Sequence, residues 1–89
     1  MWNKVEHNFG EAKYSTEECA EFQYLGNLEL KQINFSASCG CTKLIWDENR
    51  KVVHACLSMN TIGEKASFIT VNYPDNSGQG LLKLSATIK

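Results

Sequence analysis

What the chain lacks narrows its class first. It has no excess of charge of either sign: nine Lys and Arg stand against ten Asp and Glu, a formal net charge of −1. That balance argues against a protein built to neutralise the phosphates of DNA or RNA. No apolar run approaches the roughly 18 residues that a membrane span needs. The opening segment, Met1–Gly10, is polar and mixed, without the apolar core of a signal peptide. Helical periodicity is nearly absent too: no window of about eleven residues keeps apolar groups at i, i+3, i+4 and i+7. At 89 residues the chain is too short for two independent cores or for a large enzyme.

What is present is strand patterning. Hydrophobic residues make up 43% of the chain, enough to fold, and most of them alternate with polar neighbours. Val5, His7 and Phe9 alternate until Gly10 breaks the run. Ala20, Phe22 and Tyr24 follow, and Gly26-Asn27 supplies a turn. Leu28 and Leu30 share one parity, whereas Ile33, Phe35 and Ala37 share the other. One sheet face cannot hold both sets, so a bulge or kink is expected near Lys31-Gln32. Val53, Ala55, Leu57 and Met59 alternate next, before a turn at Asn60–Glu64 that carries Gly63. Ile69, Val71 and Tyr73 alternate up to the turn Pro74-Asp75-Asn76-Ser77-Gly78. Leu82, Leu84, Ala86 and Ile88 complete the pattern. About seven short, regularly spaced strands predict an all-β antiparallel sandwich filling residues 1–89 as one domain. Its predicted core holds Phe9, Phe22, Tyr24, Leu30, Leu57, Val71, Leu84 and Ala86. A core this small gains from a cross-link, a metal or a partner surface.

Four cysteines, Cys19, Cys39, Cys41 and Cys56, bear on that need. Without a secretion leader the reading favours reduced thiols in a cytosol-like compartment. Ser38-Cys39-Gly40-Cys41-Thr42 is the most distinctive peptide. In an extended chain Cys39 and Cys41 point to one side, with Gly40 available for a tight bend or a close backbone approach. The pair can serve the architecture, hold copper or zinc, or act as a redox couple. The structural role is favoured. A zinc site needs further ligands, and the candidates are Cys19, His54, Cys56 and His7. Parity turns Cys19, His54 and Cys56 away from the core. On that outer face the favoured reading is two half-exposed small residues; the other is that Cys19 and Cys56 are cross-strand neighbours, bridged in an oxidising setting. No Ser/His/Asp set emerges. Gly78-Gln79-Gly80 lacks the strand-loop-helix context of a phosphate loop. Tyr14, Trp46 and Tyr73 are dispersed, as core or rim residues are.

Taken in order, these motifs resemble the DUF1573 family of immunoglobulin-like domains, grouped with the ASH/MSP (HYDIN-type) sandwiches. The resemblance spans almost the whole chain. It rests on Phe9-Gly10, Ala20-Glu21-Phe22, the "SCGCT" signature at Ser38–Thr42, Trp46, the Val53–Met59 strand, Gly63 and the Ile69–Tyr73 strand. Tyr24-Leu25-Gly26-Asn27 is shorter than the family's usual turn, and Glu48-Asn49-Arg50-Lys51 stands where a "PGE" turn is common. The resemblance implies an immunoglobulin-like β-sandwich without enzymatic activity, whose relatives are binding modules in larger assemblies. The expected function is therefore a non-catalytic protein-binding or structural module. It is expected to be a subunit of an assembly such as a virion, cytoplasmic or virion-borne, with a homo-oligomer left open. No cofactor, nucleic-acid partner or membrane span is expected. The alternative is a copper- or zinc-binding protein using Cys39 and Cys41. A thiol–disulfide enzyme is disfavoured, because the βαβ pattern that usually hosts that chemistry is missing.

Overall fold

The computed structural model describes residues 2–74 and 78–89. Among the described residues seven strands form: β1 (Glu6–Ala12), β2 (Glu17–Gln23), β3 (Asn34–Ala37), β4 (Thr42–Asp47), β5 (Val52–Ser58), β6 (Gly63–Asn72) and β7 (Gln79–Ile88). They make two sheets, ordered β1-β7-β6-β3 and β2-β5-β4. Among the described residues the helical content is one 3₁₀ turn, Leu30–Gln32. The inward parities of β2, β5, β6 and β7 meet between the sheets. Phe22, Tyr24, Val53, Ala55, Leu57, Ile69, Val71, Leu84 and Ala86 are all buried there. Leu30 joins them from the 3₁₀ turn.

Where the structure departs from the alternation pattern, a local cause is visible. The sheets are not wholly antiparallel: β1 runs parallel to β7. The chain first bridges Trp2 to Tyr24 beside β2, then crosses to the opposite sheet and lies along the C-terminal strand. The β1 register shifts between Asn8 and Glu11. Gly10 sits in that bulge at φ +71°, a region open to glycine, and its N–H donates to Asn8 Oδ1 at 2.8 Å. The bulge breaks the parity of β1, so Phe9 is half-buried at the margin rather than in the core, edge-on to His7. Val5 precedes the strand and is exposed.

The expected kink near Lys31-Gln32 is the 3₁₀ turn, and Leu28–Leu30 is not a strand. With three residues per turn, a 3₁₀ segment brings Leu30 and Ile33 to the same side, and both are buried. Gln32 Oε1 accepts from the Glu29 N–H, and Glu48 Oε2 accepts from the Leu30 N–H. Gly26 lies against the Tyr24 ring, where a Cβ would collide with it. Strand β6 begins at Gly63, earlier than the alternation shows, because its inward Ser67 is polar. Asp75–Ser77 of the expected Pro74–Gly78 turn lie outside the described residues.

Candidate functional site

The Ser38–Thr42 peptide is the corner where the chain leaves one sheet for the other, between β3 and β4. Its polar groups tie both sides together. Ser38 extends the β3–β6 ladder: its N–H donates to the Phe68 carbonyl at 2.8 Å, and its Oγ accepts from the Phe68 N–H at 2.9 Å. Thr42 Oγ1 lies 2.6 Å from Ser67 Oγ, a fully buried hydroxyl on β6. Buried hydroxyls need such partners, so this contact fixes the corner against the opposite sheet. The Cys39 carbonyl accepts from the Thr42 N–H, and the Cys41 carbonyl accepts from the Ser58 N–H.

Cys39 and Cys41 are joined by a disulfide, with their Cα atoms 5.2 Å apart. The thiol form favoured by the sequence is thus corrected: neighbouring residues of one tight corner face each other. Cys41 packs against the core and Cys39 is half-buried. Gly40 needs no special backbone here. Its φ is not positive, and a Cβ would meet nothing within 4 Å. Glycine at this position answers neither a close approach nor a left-handed turn.

Cys19 and Cys56 form the second bridge, 37 residues apart in sequence. Strands β2 and β5 pair antiparallel from Glu17↔Ser58 to Gln23↔Val52, and Cys19↔Cys56 is one rung of that ladder. The Cα atoms stand 3.9 Å apart. Cys19 lies on the edge strand and is exposed, whereas Cys56 on the central strand is 4% exposed. On the other side of β5, Lys43 is in register with Cys56. Two rungs further along, His54 Nδ1 lies 3.5 Å from Glu21 Oε1. Among the described residues the structure gathers Glu17, Cys19 and Cys56 as three metal-ligating side chains, their ligand atoms all within 4.8 Å of one another. Neither Cys39, Cys41 nor the candidate ligands His7 and His54 enters that group. Glu17 was invisible as a ligand in the sequence, although its i, i+2 spacing to Cys19 places both on one strand face. His7 serves elsewhere. Its Nδ1 lies 2.9 Å from Lys4 Nζ. Desolvation and then the Lys4 charge hold its pKa below the ordinary histidine value, against a raising effect from Glu18.

A separate feature lies on the flank formed by β3 and β4, an edge strand of each sheet. Leu30, Ile33, Phe35 and Trp46 line a shallow groove of about 360 Å³ there. The Phe35 and Trp46 ring centroids are 5.8 Å apart. Trp46 remains 48% exposed and its neighbour Ile45 46%, so two large apolar side chains on one edge strand face solvent.

No protein-family model matches the chain, and no curated protein matches it by sequence. Solved structures do match in shape. The titin M3 domain superposes with a TM-score of 0.67 at 9% identity, covering 100% of this chain and 95% of that one. An endo-fucoidan hydrolase of glycoside hydrolase family 107 gives 0.64 at 8% identity, covering 100% of this chain but 13% of the enzyme. At such identities the likeness concerns fold alone: the chain is an all-β, immunoglobulin-like sandwich of seven strands. Antibody-type members of that fold carry an inter-sheet disulfide through the core. Here the long-range bridge lies within one sheet instead. Among the described residues no helix is long and apolar enough to cross a membrane.

Proposed function

We propose that the chain is a non-catalytic protein-binding module, a divergent relative of the DUF1573 domains, acting as one subunit of a larger assembly such as a virion. The observation that carries this reading is the β3–β4 flank. An edge strand offers unpaired N–H and C=O groups to an added strand, and side-chain pockets give such an addition its specificity. Beside the β4 edge, Trp46 borders the Leu30–Ile33–Phe35 groove, which is open to a partner's side chain, and Ile45 offers apolar surface on the strand's other face. Edges that stay monomeric are usually blunted by charge or proline; in β4, Thr-Lys-Leu-Ile-Trp-Asp, the charges sit towards the ends at Lys43 and Asp47 and the middle is apolar.

A photo-crosslinking residue at position 45, introduced in the native source, is expected to trap one protein partner. The same residue at Glu64, on the four-stranded sheet, is expected to trap none. Equal yields from both positions, or none from position 45, would contradict the docking surface. A copper or zinc role for Cys39 and Cys41 requires a reduced form, because the bridge occupies both sulfurs.

A further inference from the structure

Cys19 and Cys56 face each other as one rung of the β2–β5 ladder. The β2–β5 ladder holds these residues opposite each other through register pairs on both sides, Glu18↔Leu57 and Ala20↔Ala55 included. Opening the bridge therefore leaves two thiols facing each other. Glu17 adds a carboxylate from the same strand face. We propose that the reduced chain binds a zinc-class divalent ion through Cys19 Sγ, Cys56 Sγ and a Glu17 carboxylate oxygen, so that bridge and metal are alternative states of one site.

The geometry asks for little movement. Zinc–sulfur bonds of about 2.3 Å in a tetrahedron set sulfurs about 3.8 Å apart, with a carboxylate oxygen slightly closer. The three ligand atoms already lie within 4.8 Å of one another, so side-chain rotation of the two cysteines, freed from their bond, suffices. Two sulfurs and one oxygen suit zinc, with a water as fourth ligand; copper(I) favours sulfur alone. Two thiolates and a carboxylate around a doubly charged ion leave one net negative charge. Lys43, in register with Cys56 on the neighbouring strand, puts a positive charge on the same sheet face.

The exchange balances with a dithiol as reductant. Its thiolate attacks the exposed Cys19 Sγ, and Cys56 leaves as a thiolate. The second thiol of the reductant then attacks its own sulfur in the mixed disulfide. That step closes the reductant's ring and releases Cys19 as a thiol. Metal binding displaces the remaining thiol protons.

The test uses the full chain, reduced by a phosphine under anaerobic conditions and titrated with cobalt(II) as a spectroscopic stand-in for zinc. One equivalent is expected to raise a sulfur-to-cobalt charge-transfer band that zinc then abolishes. The Cys39→Ser/Cys41→Ser variant is expected to keep the band, and the Cys19→Ser/Cys56→Ser variant to lose it. Glu17→Gln, at an exposed position, is expected to weaken binding more than about tenfold. Far-ultraviolet circular dichroism accompanies each titration. A reduced wild type without the band, a band that follows Cys39 and Cys41, an unchanged Glu17→Gln affinity, or loss of the β spectrum on reduction would each overturn the proposal.

Discussion

The two cysteine pairs sit in the same small domain and do different work. Cys39 and Cys41 are two residues apart, and their bond closes a loop that the chain has almost closed already. Its surroundings carry the corner: the Ser38–Phe68 bonds, the Thr42–Ser67 contact and the packing of Cys41 against the core. Cys19 and Cys56 are 37 residues apart, and their bond restrains a long stretch of the unfolded chain. In the folded state that second bond is nearly redundant, because the ladder already sets the register. Proximity in sequence and consequence for stability thus run in opposite directions. The conspicuous pair constrains little, and the inconspicuous pair constrains much.

A yardstick comes first. Phe22 lies on β2 three residues from Cys19, fully buried on the opposite face. Phe22→Ala is expected to cost about 3–5 kcal/mol in denaturant unfolding without disturbing either bridge. A loss below about 1 kcal/mol would show that the inward parity does not carry the core. Cys19→Ser/Cys56→Ser comes next, at about 4 kcal/mol from the loop released in the unfolded state. A third change probes the corner without touching sulfur. Thr42→Val leaves the buried Ser67 hydroxyl without its partner and is expected to cost about 2 kcal/mol. Cys39→Ser/Cys41→Ser is expected to cost about 1 kcal/mol. If that double variant proves costlier than the Cys19/Cys56 one, the comparison inverts and the corner bond is the structural staple.

Much of this was legible in the residues. Clean alternation in β2 and β5 exposes the inward set and, by parity, puts Cys19 and Cys56 on the opposite face. Their direct opposition was not legible, since register depends on where each turn ends. Strand β4 was hidden because Ile45 and Trp46 are adjacent and both apolar, so no period of two survives. The first half of β6 was hidden because a polar Ser67 occupies an inward position. The parallel placement of β1 follows from a crossing between sheets that leaves no compositional mark. Glu17 joins the cysteines only through the fold, and the flank around Trp46 exists only where two sheet edges approach.

The smallest expected effect separates both cysteine pairs from titration. The folded pKa of His7 lies below its unfolded value, so the unfolded chain takes up the proton more readily. Stability is therefore expected to fall as pH drops below about 6.5, the unfolded histidine value. His7→Gln is expected to flatten that slope in thermal melts. A slope of the opposite sign would place His7 beside a net negative environment instead.

The account rests on which sulfurs are joined, and four cysteines allow three pairings. Proteolysis of the unreduced protein at low pH, followed by mass spectrometry of the linked peptides, reads the pairing directly. The result predicted is a Cys19 peptide joined to a Cys56 peptide, with Cys39 and Cys41 bridged inside a single peptide. A Cys19–Cys39 or Cys41–Cys56 linkage, or free thiols at Cys19 and Cys56 in protein purified without reductant, would contradict it.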